Sequence, residues 1–176
     1  AGWGEIPYAP LWVANTDGIK VQSSHVAVLG GGSAGCEYAL RLKSEMTNAR
    51  VTIIEHSYAI MKDAAFNERE WFRRNLEAQG VELMTMAEPV RVSEGCLLLR
   101  QNCCAALGTP YSSDTFIRSI PCGFIVLAQE DLPDTSQFRA AQRDFPAAQL
   151  YCLPGSFSPC EIVPISRAAY SLAQRI

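Results

Sequence analysis

The stretch HVAVLGGGSAGCE, residues 25–37, decides the fold. Its first five residues, His25–Leu29, are an apolar run that is rich in β-formers and too short for a helix, so they predict a buried parallel strand. Three glycines interrupt the run. From Ser33 to about Met46 apolar residues recur at helical spacing, with Lys43 and Glu45 on the opposite side. The stretch therefore predicts a strand, a glycine turn and a helix.

The residues that follow continue this alternation. Val51–Ile54 is a second apolar strand, which closes on Glu55. Asn67–Gln79 has the spacing of a helix, with Asn67 as its N-cap and Gly80 at its C-terminal end. Val81–Met84 is predicted to be a third strand. Residues 1–24, which contain several prolines and glycines, are expected to be an irregular lead-in.

Beyond Met84 the pattern changes. Two short apolar runs flank Ser93-Glu94-Gly95, which predicts a hairpin between Val90–Val92 and Cys96–Leu99. The later elements are predicted, in order, as a polar loop at Thr109–Asp114, an extended segment at Phe116–Ile120, a return strand at Phe124–Ala128, a short helix at Gln137–Arg143, a strand at Leu150–Leu153 and a helix at Ile165–Arg175. The sequence thus predicts the α/β class: a Rossmann-like open parallel sheet flanked by helices, with an antiparallel β-excursion after the third strand.

Composition excludes several classes of protein. The 176 residues are 48% hydrophobic and 19% charged, as in globular domains, and the net charge of −3 offers no footprint for nucleic acid or an anionic membrane. No apolar run is long enough to span a bilayer, and Ala1–Pro10 does not resemble a signal peptide. The seven cysteines are odd in number and lack C-x-x-C spacing, which argues against a metal site and favours buried thiols. We therefore expect a cytoplasmic protein without metal, nucleic-acid or membrane partners.

The motif Gly30-x-Gly32-x-x-Gly35 matches the dinucleotide fingerprint in its expected context, after a strand and at the start of a helix. Gly30 permits the tight turn, Gly32 lets the backbone approach a pyrophosphate, and Gly35 lets the helix pack on the strand. The helix N-terminus offers free N–H groups to phosphate. The predicted cofactor-binding loop is made of Gly30, Gly31, Gly32, Ser33, Ala34 and Gly35. The alternative is a glycine-rich turn that binds no nucleotide.

Acidic residues around the motif bear on the nucleotide. Glu55 ends the second strand 20 residues past Gly35, where a carboxylate binds ribose hydroxyls and repels a 2′-phosphate, so NAD(H) is favoured over NADP(H). Its alternative role is a solvated acid. Glu37, in the first helical turn, either faces the nucleotide or interacts with the helix dipole. His56 either lies near the adenine or is simply exposed. The Met61–Trp71 stretch, with Phe66, could line a partner surface, but core packing is favoured.

The same residues resemble the second nucleotide-binding motif of the two-dinucleotide-domain flavoprotein reductases. Val51–Glu55 is similar to the family's next strand, and Leu76–Leu83 to the end of its second helix and third strand. Phe124–Ala128 is similar to the strand before an Ala-Thr-Gly, Leu150–Gly155 to the segment before a Gly-Asp, and Ile162–Ile176 to the closing helix. The best match is the family of NADH:flavin oxidoreductases, 2,4-dienoyl-CoA reductases and trimethylamine dehydrogenases. In this alignment, Ala1–Gly4 would occupy the place of another Ala-Thr-Gly of the family.

This resemblance implies three regions: a lead-in from a neighbouring flavin-type lobe (1–24), a dinucleotide-binding domain (25–130) that includes Ala128 at the cofactor, and a return segment with a closing helix that packs with the lead-in (131–176). Both ends look cut from a longer protein. The chain is expected to present NAD(P)H to FAD or FMN held in a flavin lobe or barrel of the parent protein. No catalytic residue is predicted, and no activity is expected of the chain alone.

Two departures from the family pattern suggest an alternative. Ala128-Gln129-Glu130 stands where Ala-Thr-Gly is usual, and Gly155-Ser156 stands where Gly-Asp is usual. The resemblance implies that the missing aspartate would contact the flavin. The alternative function is therefore a catalytically inactive nucleotide-binding or interaction module with a degenerate flavin site.

Overall fold

The computed structural model describes residues 6–14, 21, 23–62, 64–102, 114–128, 135–151 and 162–175. The chain divides into two compact units, Ala1–Gln129 and Glu130–Ile176. Several predicted features lie wholly or largely outside the described residues: the loop that begins at Thr109, the departures at Gln129-Glu130 and Gly155-Ser156, and the second half of the strand at Leu150–Leu153.

The first unit is built on a five-stranded parallel sheet in the order β1-β8-β2-β3-β4. Its strands are β1 (Tyr8–Pro10), β2 (His25–Leu29), β3 (Arg50–Ile54), β4 (Glu82–Met84) and β8 (Phe124–Leu127), and its helices are α1 (Leu11–Ala14), α2 (Ser33–Glu45) and α3 (Phe66–Ala78). At the centre, Val28 of β2 is in register with Ile53 of β3 and with Val126 of β8. The predicted open parallel sheet with flanking helices is confirmed.

The antiparallel excursion is a separate three-stranded sheet. It consists of β5 (Ala87–Ser93), β6 (Cys96–Asn102) and β7 (Thr115–Pro121) in that order. Glu94 and Gly95 join β5 to β6 with φ values of 51° and 72°, as a tight hairpin turn requires. The predicted hairpin is confirmed, and both of its strands are longer than predicted.

The central strands are mostly apolar because both of their faces are buried. Successive strand residues point to opposite faces. On one face Val28 and Ile53 join an apolar cluster with residues of α2 and α3, including Leu76. On the other face Leu29 and Ile125 join a cluster with residues of the three-stranded sheet, including Leu97 and Leu99. The layers of this unit are therefore helices, parallel sheet and antiparallel sheet.

The structure corrects the prediction for the lead-in. Residues 8–14 form β1 and α1, and β1 pairs with β8 at the edge of the sheet, where Ala9 is fully buried. A three-residue strand that ends on Pro10 has no periodicity to detect, and an edge position tolerates proline. Its strand conformation comes from tertiary pairing.

Two predictions about α3 are also wrong. The helix begins at Phe66 after Ala65, whose extended backbone serves as N-cap without a side-chain hydrogen bond, so Asn67 lies inside the first turn. Phe66 and Trp71 are 72% and 56% exposed, contrary to the prediction that the Met61–Trp71 stretch packs in the core. Met61, at the start of that stretch, is buried. Gly80, with a φ of 72°, follows the helix as predicted.

The second unit contains α4 (Ser136–Asp144) and α5 (Ile162–Ala173). Both helices had been predicted, and α5 begins three residues before the predicted Ile165. Leu150 and Tyr151 are not in a strand, contrary to prediction. None of the residues that the structure describes in this unit is buried, and the exposed apolar side chains include Val163 and Tyr170. Among the helices described, none combines the length and apolarity needed to cross a membrane.

Candidate functional site: a glycine turn at the end of a parallel strand

The glycine turn lies at the carboxyl ends of β2 and β3. Gly30 has a φ of 114°, a backbone conformation that side-chain-bearing residues rarely adopt. Its N–H donates to the carbonyl of Ile54 at 2.9 Å, which ties the turn to the end of β3. The role predicted for Gly30, to permit the turn, therefore has a direct conformational basis.

Gly35 is the point of closest approach between α2 and the sheet. A Cβ built on Gly35 would overlap the carbonyl oxygen of Gly30 and lie 3.2 Å from the Cβ of Ala128. Ala128 follows β8 and is held there by its N–H, which donates to Leu29 at 2.8 Å. A side chain at position 35 would thus push the helix off the strands, so glycine is required here by packing.

Gly32 differs from its two neighbours in the motif. It is the N-cap of α2 with φ −70° and ψ 179°, an extended backbone that any residue can adopt. A Cβ at this position would meet no atom within 4 Å. Ser33 and Ala34, which follow it, are exposed. The N-cap Gly32 provides no side-chain hydrogen bond, and the N–H groups of the first turn have no acceptor within the helix, which is the arrangement that binds anions in other proteins.

Glu55 contacts this turn directly, in a way that is unexpected for a residue assigned to ribose. The residue is only 7% exposed. Its Oε2 accepts a hydrogen bond of 2.7 Å from the N–H of Gly31, and its Oε1 accepts one of 2.8 Å from the N–H of Ser57. The carboxylate is therefore bound to the protein's own backbone on both oxygens, contrary to the alternative of a solvated acid.

Burial and hydrogen bonding act in opposite directions on this carboxyl group. Burial, the largest single influence, raises the pKa of Glu55, but the hydrogen bonds from Ser57 and Gly31 together outweigh it and lower the pKa below its ordinary value. His56 acts in the same direction: its Nδ1 lies 3.0 Å from Oε1, while 66% of its side chain is exposed. Glu55 is therefore ionised across the neutral range.

A cavity of about 320 Å³ opens beside the turn. It is lined by Gly30, Ile54, His56, Ala87, Glu88 and Pro89. The start of β5 is fixed there by two backbone hydrogen bonds, from Met86 to Ser57 and from Ala87 to Glu55, at 2.9 and 3.0 Å. His56 and Glu88 therefore line the same cavity as Gly30 of the glycine turn.

The remaining predicted site residues are less closely associated with the turn. Glu37 is exposed and is the fifth residue of α2, just beyond the first turn in which it had been predicted. The side chain of Ala128 lies next to Gly35, 3.2 Å from where a Cβ of residue 35 would be.

Sequence reasoning missed Ile60 and Met61. The N–H of Met61 donates to the carbonyl of Gly31 at 2.7 Å, and the Ile60 side chain packs against the same glycine. It also missed the cavity residues of β5, because contacts between such distant positions leave no local pattern.

These features define an α/β protein of the Rossmann-like class, with a glycine turn at the carboxyl edge of its parallel sheet. The comparisons with known proteins then give the family: its model, described as pyridine nucleotide-disulphide oxidoreductase, matches residues 12–102, so the chain belongs to this family of oxidoreductases. No curated protein matches the chain.

Solved structures of flavoprotein and related oxidoreductases share the fold. Histamine dehydrogenase from Rhizobium sp. 4-9 is 15% identical with a TM-score of 0.70, over 97% of this chain and 26% of its own. A 2-naphthoyl-CoA reductase is 13% identical with a TM-score of 0.69, over 98% and 25%. An FAD-dependent pyridine nucleotide-disulphide oxidoreductase from Desulfovibrio vulgaris is 20% identical with a TM-score of 0.56, over 77% and 33%. This chain therefore spans about a quarter to a third of their length.

Proposed function

We propose that this chain is the nicotinamide-nucleotide-binding lobe of a flavin-dependent oxidoreductase. Gly32 carries the proposal. Gly30 and Gly35 are required by the fold, but neither the backbone conformation of Gly32 nor any neighbouring atom requires glycine there. A missing side chain at an exposed helix N-terminus has a physical purpose if a ligand backbone or phosphate approaches it closely. Glu55, at the same edge of the sheet, supports binding of the adenosine ribose.

The charges near the cavity favour NAD(H) over NADP(H). Glu88 lines the cavity, and the ionised Glu55 lies directly beneath the turn. A 2′-phosphate would add negative charge beside both carboxylates. None of the described residues that line the cavity is lysine or arginine. Arg100 is opposite Glu88 in the pairing of β5 with β6, but it is not part of the lining.

The partner in the reaction is proposed to be a flavin held outside this chain, in another lobe or barrel of the parent protein. When bound, the nicotinamide supplies the hydride chemistry, while this chain binds and orients the nucleotide. The exposed apolar side chains of α5 support contact with a further lobe. The likeness to histamine dehydrogenase and 2-naphthoyl-CoA reductase over almost the whole chain supports a place near the trimethylamine dehydrogenase and dienoyl-CoA reductase group.

Calorimetric titration with NADH tests the proposal. We expect binding in the micromolar range for the wild type and its loss in Gly32→Val, because the valine side chain would occupy the space that a pyrophosphate needs. Gly32→Val should nevertheless fold, since the position is open. Ala78→Val, at the exposed end of α3, is the matched control and should bind normally. If the wild type gives no heat with NADH, NADPH or ADP, the proposed function is wrong.

A second titration tests the preference for NAD(H). We expect NADPH to bind at least about tenfold more weakly than NADH, a difference that corresponds to about 1.4 kcal/mol. Glu88→Gln should bring the affinity for NADPH closer to the affinity for NADH. Glu94→Gln removes an equal charge from the exposed β5–β6 turn and should leave the ratio unchanged. Equal affinities in the wild type would contradict the preference without affecting the proposal that a nucleotide binds.

A further inference from the structure

The glycine turn is held from both sides, by two groups that follow β3 and by a thiol of α2. On one side the carboxylate of Glu55 accepts the N–H of Gly31 at 2.7 Å. On the other side the carbonyl of Gly31 accepts the N–H of Met61 at 2.7 Å and the thiol of Cys36 at 3.5 Å. Gly31 is itself buried. Without Glu55 its N–H would be a buried donor with no acceptor, a state that a protein conformation avoids.

We propose that Glu55 is a positioning residue, whose carboxylate holds the Gly31 amide and so presets the glycine turn in the conformation that receives a diphosphate. This inference rests on the proposed function and adds a second role to the ribose contact expected of Glu55. A carboxylate has about four acceptor positions, so the two backbone hydrogen bonds leave room for ribose hydroxyls. A turn that is already ordered loses less conformational entropy when the nucleotide binds, which strengthens binding.

The two roles predict opposite results with a ligand that has no ribose. Inorganic pyrophosphate carries only the diphosphate. If Glu55 acted on ribose alone, Glu55→Gln would leave pyrophosphate binding unchanged or strengthen it, because removal of a negative charge favours an anion nearby. If Glu55 positions the turn, pyrophosphate binding weakens in Glu55→Gln despite the favourable change in charge. Glutamine can accept the Gly31 N–H with its carbonyl oxygen, but its amide nitrogen then faces the N–H of Ser57 as a second donor.

The first measurement compares ADP and pyrophosphate in the wild type, Glu55→Gln and Glu55→Asp. We expect both variants to bind pyrophosphate about fivefold more weakly, as for the net loss of one ordinary hydrogen bond. They should bind ADP more weakly by at least the same factor. Glu55→Asp keeps the charge but is one methylene shorter and cannot reach both N–H groups. Glu94→Gln is the control for charge. Unchanged or tighter pyrophosphate binding in Glu55→Gln, with weaker ADP binding, overturns the positioning role.

The second measurement is made on the wild type, with Glu55→Gln as its control. With the 12 glycines labelled with ¹⁵N, the amide signal of Gly31 should move as the Glu55 carboxyl titrates in the acid range, and the movement should be absent in Glu55→Gln. If no glycine amide follows such a titration in the wild type, the positioning role is wrong. If the titration is seen but neither ADP, NADH nor pyrophosphate binds, the proposed function fails while the contact between Glu55 and the turn stands.

Discussion

Gly35→Ala is the substitution whose effect on stability follows most directly from the structure. It adds one methyl group to the first turn of α2. That methyl would lie closer than 3.0 Å to the carbonyl oxygen of Gly30 and 3.2 Å from the Cβ of Ala128. Neither neighbour can rotate away. Gly30 is fixed by its hydrogen bond to Ile54, and Ala128 by its hydrogen bond to Leu29.

The helix must therefore shift away from the sheet, and the shift disturbs those of its own residues that are fully buried against the sheet. Cys36 and Ala39 of α2 both have 0% exposure. Overpacking of this kind costs about 3 kcal/mol, whereas replacement of glycine by alanine in a helix gains at most about 1 kcal/mol. The net loss is about 2 kcal/mol or more, which for a protein of this size lowers Tm by about 4–8 °C.

Thermal unfolding followed by circular dichroism measures this effect, with Gly32→Ala as the matched control. The control adds the same methyl group three residues earlier, into open space and at a φ of −70°. Alanine is a poorer N-cap than glycine but restricts the unfolded chain, so the two contributions, each below about 1 kcal/mol, nearly cancel. If Gly35→Ala melts within about 2 °C of Gly32→Ala, the close packing of α2 on β2 is refuted.

Three further predictions concern charge and thiol chemistry. Because the folded pKa of Glu55 is below its ordinary value, its contribution to stability is present above the ordinary carboxyl pKa and is lost as pH falls through the folded pKa. In urea unfolding at a series of acid pH values, the free energy of unfolding should therefore fall less steeply with decreasing pH in Glu55→Gln than in the wild type. Burial raises the pKa of Cys36 to about 12, so iodoacetamide at neutral pH should alkylate the half-buried Cys96 and spare Cys36 in a peptide map, and rapid labelling of Cys36 would contradict its burial. Arg118→Ala breaks an exposed ion pair with Glu82 and should lower the free energy of unfolding by less than about 1 kcal/mol; a larger loss would show that the pair has a greater structural role.

The sequence was sufficient for the strand, turn and helix around Gly30 because glycine spacing and apolar periodicity are local signals. It was not sufficient for β1, whose three residues become a strand by pairing with β8. Nor could it show that Phe66 and Trp71 lie on the outside of α3, since a short helix with an aromatic residue on each side permits either face to be buried.

Only part of the candidate site could be predicted from the sequence, because tertiary contacts leave no local pattern. The motif identifies which backbone can approach a phosphate, but not what holds that backbone in place. The groups that do so are Glu55 and Met61, which come from the end of β3 and the chain that follows it. Glu55 was recognised because an acid at a strand end fits the fingerprint, but it was assigned to ribose alone. Its burial and its two short hydrogen bonds support the further role that we propose, in which the same carboxylate that binds ribose also orders the turn.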